Sequence, residues 1–155
     1  MDSREQSSRS GTAPGVGVLL AGVAIAAWIV FGRFLFGVGG ELTLAYLPIG
    51  VLVVVLHAFI GRALSRTASR GFTPRRSTWG TLVTAWGCGI LLGLTMPDVT
   101  ETGLQTILTG AAQPWLDVAI GVANPAGIIM IAFTIIALVL ASQDAHGPRP
   151  VEDDF

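Results

Sequence analysis

Four long apolar stretches separated by short polar ones set the pattern of this chain. From Gly15 to Gly37 every residue is apolar or small except Arg33, and 23 residues at ~1.5 Å rise suffice to cross a hydrocarbon core of ~30 Å. Gly37, Gly39 and Gly40 stop that helix, Glu41 marks water, and a second apolar run from Leu42 to Leu64 returns across the membrane. Pro48 falls in its first two turns, where a proline bends an end rather than breaking a span. The third run, Thr78 to Met96, is the richest in glycine and ends at Pro97-Asp98. The fourth, Trp115 to Ala141, has 27 residues and is interrupted by Asn124-Pro125. The pattern predicts an all-α polytopic membrane protein with four transmembrane helices, at about 15–37, 42–64, 78–96 and 115–141.

The polar segments complete the outline. Residues 1–14 are rich in Ser with Gly and Pro and show no apolar period, so they read as a disordered lead. Arg62, Arg66 and Arg70 recur at helical spacing and extend the second helix as a basic segment that continues to Gly71, Pro74 and Arg75-Arg76. Residues 98–114 contain no basic residue and read as a loop with a short surface helix from Glu101 to Leu108, and residues 142–155 form an acidic, disordered tail. Ala24-Ile25-Ala26 has the form of a signal-peptide cleavage site. The apolar run continues through Trp28, Ile29, Val30 and Phe31, however, and Asp2 and Glu5 offset the two arginines ahead of it, which favours a retained span.

Charge gives the expected orientation. Five of the nine basic residues lie between Arg62 and Arg76, beside two membrane boundaries, so the positive-inside rule places this connection and both termini in the cytoplasm. Arg4 and Arg9 add to the same side. The aromatics Phe31, Phe34, Phe36, Tyr46 and Trp115 then fall at the outer boundary, and Phe59, Phe72 and Trp79 near the inner one. Arg62, Arg66, Arg70, Arg75 and Arg76 are expected to engage anionic lipid headgroups. The chain is 52% hydrophobic and 12% charged with a mean hydropathy of +0.69, and the spans leave no length for a separate soluble catalytic domain. A net charge of −1 gives no reason to expect a nucleic-acid partner. All nine basic residues are Arg, a bias that suits a GC-rich prokaryotic genome and hence a multi-pass plasma-membrane protein.

Four features could carry function. Thr81, Ala85, Gly89 and Gly93 form a stripe of small residues that lets another helix approach closely, either within the chain or in an oligomer or larger partner, and Gly17 with Ala21 and Gly22 with Ala26 give the first helix weaker versions. Asn124-Pro125-Ala126 resembles the tripeptide of aquaporin-type channels. That family has two such motifs and six spans; the resemblance, confined to these three residues, implies a half-helix capped by Asn124 with its amide facing a pore. Without the family, Asn at a cap and Pro at the first helical position can start a helix at Pro125, and the alternative is a proline inside one long span.

His57 shares a face with Gly50 and Gly61 and is expected to point into the bundle about one turn from the basic end. No His, Cys, Asp or Glu accompanies it at that depth, so no metal or cofactor is expected, and Cys88 is the only cysteine. Arg33 and Asp117 fall near the outer boundary with Glu41, Asp98 and Glu101, so that Arg33 either snorkels to headgroups or pairs with one of these carboxylates. Gly87-x-Gly89 lies inside a span and cannot be a nucleotide loop, and HExxH, GxSxG, CxxC and P-loop motifs are absent. A midplane carboxylate for coupled transport is missing from the pattern too. These readings point to a non-catalytic accessory or structural subunit, with a small homo-oligomeric channel for a neutral or weakly charged solute as the alternative.

Overall fold

The computed structural model describes residues 3–147, with side chains from residue 13 onward. Helix α1 (Ser3–Phe31) continues into a 3₁₀ segment (Gly32–Phe36). Helices α2 (Thr43–Ser69) and α3 (Arg76–Thr95) follow, then a hairpin of strands β1 (Asp98–Thr100) and β2 (Gly103–Gln105), and helix α4 (Trp115–Asp144). All four helices are long and apolar enough to cross a membrane. α1 packs along α2 and α3 along α4, and the two pairs join through α2–α4 and α1–α3 contacts into a four-helix bundle. The hairpin caps one end; the arginine-rich α2–α3 connection occupies the other.

The apolar runs became helices where expected, while three boundaries moved. α1 begins at Ser3, ahead of the run that starts at Gly15, and passes through Pro14. Once the apolar stretch is helical, each further residue adds a backbone bond without a new nucleation cost, so the helix can propagate outward. α2 extends to Ser69, which carries the arginine segment as a continuation of the span. α4 passes Ala141 and stops at Asp144; Met1, Asp2 and the remainder of the acidic tail, 148–155, lie outside the described residues.

The surface helix expected over Glu101–Leu108 is a β-hairpin instead. Val99 pairs with Leu104 and Thr100 with Gly103, closing on Glu101-Thr102, and Gly103 has φ +109°, a conformation glycine adopts without Cβ strain. The β-branched run Val99-Thr100 and this turn outweigh a weak amphipathic pattern. The amide of Glu41 donates to the Val99 carbonyl, so the α1–α2 loop lies against the free edge of β1.

Two apolar layers fill the interior. Ala26, Ile29, Val53, Leu92, Met96, Ala123, Ala126 and Met130 make the layer nearer the hairpin. Val18, Ile60, Ala63, Leu64, Leu82, Ala137 and Ala141 make the layer nearer the basic end. α4 turns a nearly all-small seam inward (Ala119, Ala123, Ala126, Ala137, Ala141), which lets its backbone approach α3 and α2. α1 and α2 approach as closely at Gly15 and Gly61, where a Cβ on Gly61 would stand 2.6 Å from the Gly15 carbonyl oxygen.

Candidate functional site

Three polar clusters lie along the bundle. At the hairpin end, the 3₁₀ segment that follows α1 turns Arg33 inward, where it is fully buried. Its Nη1 stands 3.3 Å from Oδ2 of Asp98 and donates to the Pro97 carbonyl at 3.2 Å, and Nη2 donates to the Val30 carbonyl at 3.2 Å. The guanidinium lies 4.3 Å from the centre of the Tyr46 ring, whose hydroxyl donates to the same Pro97 carbonyl at 2.8 Å. Arg33 Nε has no partner among the described residues.

Asp98, equally buried, does more than neutralise this charge. Its carboxylate accepts the backbone amides of Gly40 and Leu42 at 2.9 Å and of Val99 at 2.8 Å. Gly40 and Leu42 lie in the loop just ahead of α2, so Asp98 pins the α1–α2 loop to the start of β1 from the far side of the sequence. Gly40 is obligatory, because a Cβ there would run into the Val99 carbonyl. The arrangement is a clamp: an acid whose oxygens are occupied and a guanidinium held on three sides offer neither a free base nor a nucleophile.

Halfway along α2, between the two apolar layers, sits His57. The helix runs on to Ser69, which puts the residue near the middle of α2. It is buried, with Nδ1 2.8 Å from the Val53 carbonyl and Nε2 accepting from Trp86 Nε1 at 3.0 Å. The tautomer this requires is Nδ1–H, a neutral ring with both nitrogens engaged. α1 presents Gly22 to its flank, where any Cβ would overlap the imidazole.

The third cluster closes the basic end. Asp144, the last residue of α4, accepts from Thr78 Oγ1 at 2.7 Å and from the Arg75 amide at 3.1 Å, and its Oδ1 lies 3.1 Å from Arg75 Nε. Arg70 donates to the Ala145 carbonyl. Two of the five arginines of this connection are thus turned onto the end of α4, while Arg62, Arg66 and Arg76 are exposed on the bundle surface.

The small stripe on α3 is used inside the chain. Gly89 faces Ile25 and Met130, and Gly93 lies flush against the Trp28 indole, which donates to the Ile90 carbonyl. Ala85 is buried, and the Thr81 hydroxyl bonds back to its own helix through the Ser77 and Thr78 carbonyls. On α1 the Gly22–Ala26 face is buried, while Gly17 has open space around it. Arg33 pairs with Asp98, leaving Asp117 exposed at the start of α4 beside Gln113 Nε2. Asn124-Pro125 lies within one uninterrupted helix, and Asn124 is exposed on the outer side of α4, so it neither caps a half-helix nor lines an interior path. The half-helix implied by the aquaporin tripeptide is therefore absent. The unbroken apolar run on both sides holds the helix through the proline.

Sequence reasoning placed Asp98 among the acids available to Arg33 and Tyr46 at the same boundary, but gave no weight to Trp86, Thr78 or Asp144. Apart from their depth, these residues carried no signal. No group of three or more His, Cys, Asp or Glu side chains that could hold a metal ion occurs among the described residues. No family model, curated protein or solved structure matches the chain.

Proposed function

We propose that this small multi-pass membrane protein is a non-catalytic accessory or structural subunit that acts through the outer faces of its helices. The observation that carries this reading is that, among the described residues, the interior polar groups, Arg33 Nε apart, are bonded within the fold. Both nitrogens of His57 are engaged, and Arg33, Asp98 and Asp144 hold loops and helix ends together. What remains available is surface: long apolar faces and, at the basic end, the exposed Arg62, Arg66 and Arg76. In this reading the basic end lies in the cytoplasm with both termini, in a prokaryotic plasma membrane, and the free arginines contact anionic headgroups.

Gentle extraction of the tagged protein from its native membrane, followed by native mass determination, tests it. The expected result is a defined assembly, with copies of itself or with a stoichiometric partner. A monomer or assembly of this chain alone that catalyses a reaction or conducts a solute in liposomes would overturn it.

A further inference from the structure

We propose that two copies of this chain pair in the membrane along the outer face of α4, with the Asn124 amides hydrogen-bonded to one another across a two-fold axis. This names the partner for the proposed accessory function and rests on that reading. The outer face of α4 carries Val118, Gly121, Ile128, Ile135 and Val139, all exposed, at alternating three- and four-residue spacings or their sum. That period keeps a helix seam in register with a like seam.

A glycine on such a seam lets two backbones approach closely, and the space beside Gly121 is open. Asn124 interrupts this apolar face. The side-chain hydrogen bonds nearest it on α4 belong to Asp117 and Thr134, and Asn124 makes none among the described residues. An unsatisfied amide facing hydrocarbon is costly, because lipid offers it neither donor nor acceptor.

The geometry selects a second copy over other occupants. Two copies inserted with the same topology bring their α4 helices together in parallel about an axis along the membrane normal, so each Asn124 meets its own counterpart. A carboxamide is self-complementary: the NH₂ of one donates to the carbonyl of the other and the reverse. Gly121, one turn away on the same seam, lets the backbones approach closely enough for this to happen.

Single-molecule counting of the labelled full-length chain in liposomes, across a range of protein-to-lipid ratios, measures the association. The wild-type protein should dimerise, Asn124→Gln should retain dimerisation, and Asn124→Val should weaken it about 3- to 20-fold. Should Asn124→Val fail to fold, oxidative cross-linking in a Cys88→Ala background leaves Asn124 intact. Gly121→Cys and Ile128→Cys should then form disulfide-linked dimers, while Ile90→Cys, exposed on α3, should not.

Monomers at all ratios, equal dimerisation of Asn124→Val and wild type, or cross-linking at Ile90→Cys instead would each overturn the pairing. A different protein co-purifying with the monomer would refute the α4 dimer and leave the accessory reading standing. A dimer that conducts solute would do the reverse.

Discussion

Arg33 and Asp98 are 65 positions apart in the chain (98 − 33), yet each is buried against the other. A buried charge that loses its partner keeps its desolvation cost without compensation, so Asp98→Ala is expected to destabilise the bundle by about 3–5 kcal/mol. Reversible unfolding in mixed micelles would measure it. Arg33→Met combined with Asp98→Ala should recover only the part due to the unpaired guanidinium, leaving the cost of the three amides that lose their acceptor, and a double-mutant cycle would report the split. Trp86→Phe leaves the Nε2 of His57 without a donor, and a cost of about 1–3 kcal/mol is expected in the same assay. At this scale the sequence was only partly readable. Arg33 was visibly a charge at a boundary, but its choice of Asp98 over Asp117 follows from the hairpin and the Gly39-Gly40 loop segment, which bring the α1–α2 connection onto the start of β1. His57 was readable as inward-facing from its shared face with Gly50 and Gly61. Its partner Trp86 was hidden because an indole in a span looks apolar until its N–H is placed.

Single elements differ in how strongly local chemistry declares them. The four helices were legible because hydrocarbon tolerates few alternatives to an internally bonded helix, and a 20-residue apolar run therefore has one outcome. The β-hairpin was not, since a short mixed loop segment carries only short-range preferences and its Glu101-Thr102 turn depends on Gly103. Glycines in α3 show the same division: their type is plain, and their use depends on the neighbour. Gly93→Leu should displace the Trp28 indole and cost about 1–3 kcal/mol. Gly87→Leu, with open space at its Cβ, should leave stability near wild type or raise it slightly through helix propensity. Melting both variants in the same detergent would separate an interior stripe from a surface one; equal losses would contradict the assignment of Gly93 to the Trp28 contact.

Across the whole molecule, charge is polarised. The hairpin end holds Glu41, Asp98, Glu101 and Asp117, and the α2–α3 end holds five arginines, one of which Asp144 offsets. On the proposed orientation, a cysteine introduced at exposed Thr102 in a Cys88→Ala background should react with an impermeant maleimide added to intact cells. One at exposed Ser69 should react only after lysis. Replacing Arg62, Arg66 and Arg76 with Gln should produce mixed labelling, because these residues carry charge without an acidic partner in the bundle. Labelling of Ser69→Cys before lysis would reverse the orientation.

The position of Asp98 in the chain also bears on biogenesis. During synthesis α1 and α2 are complete before the carboxylate that holds the α1–α2 loop and neutralises Arg33 has been made. On the proposed topology the first helical pair is therefore expected to carry an unpaired Arg33 and an unpinned α1–α2 loop until the third span and the start of the hairpin emerge. Chains arrested before residue 98 should expose the Gly37–Leu42 turn to protease, and chains extended past β2 should protect it. Assembly of the two halves is thus ordered in time by which end of one ion pair the ribosome delivers last.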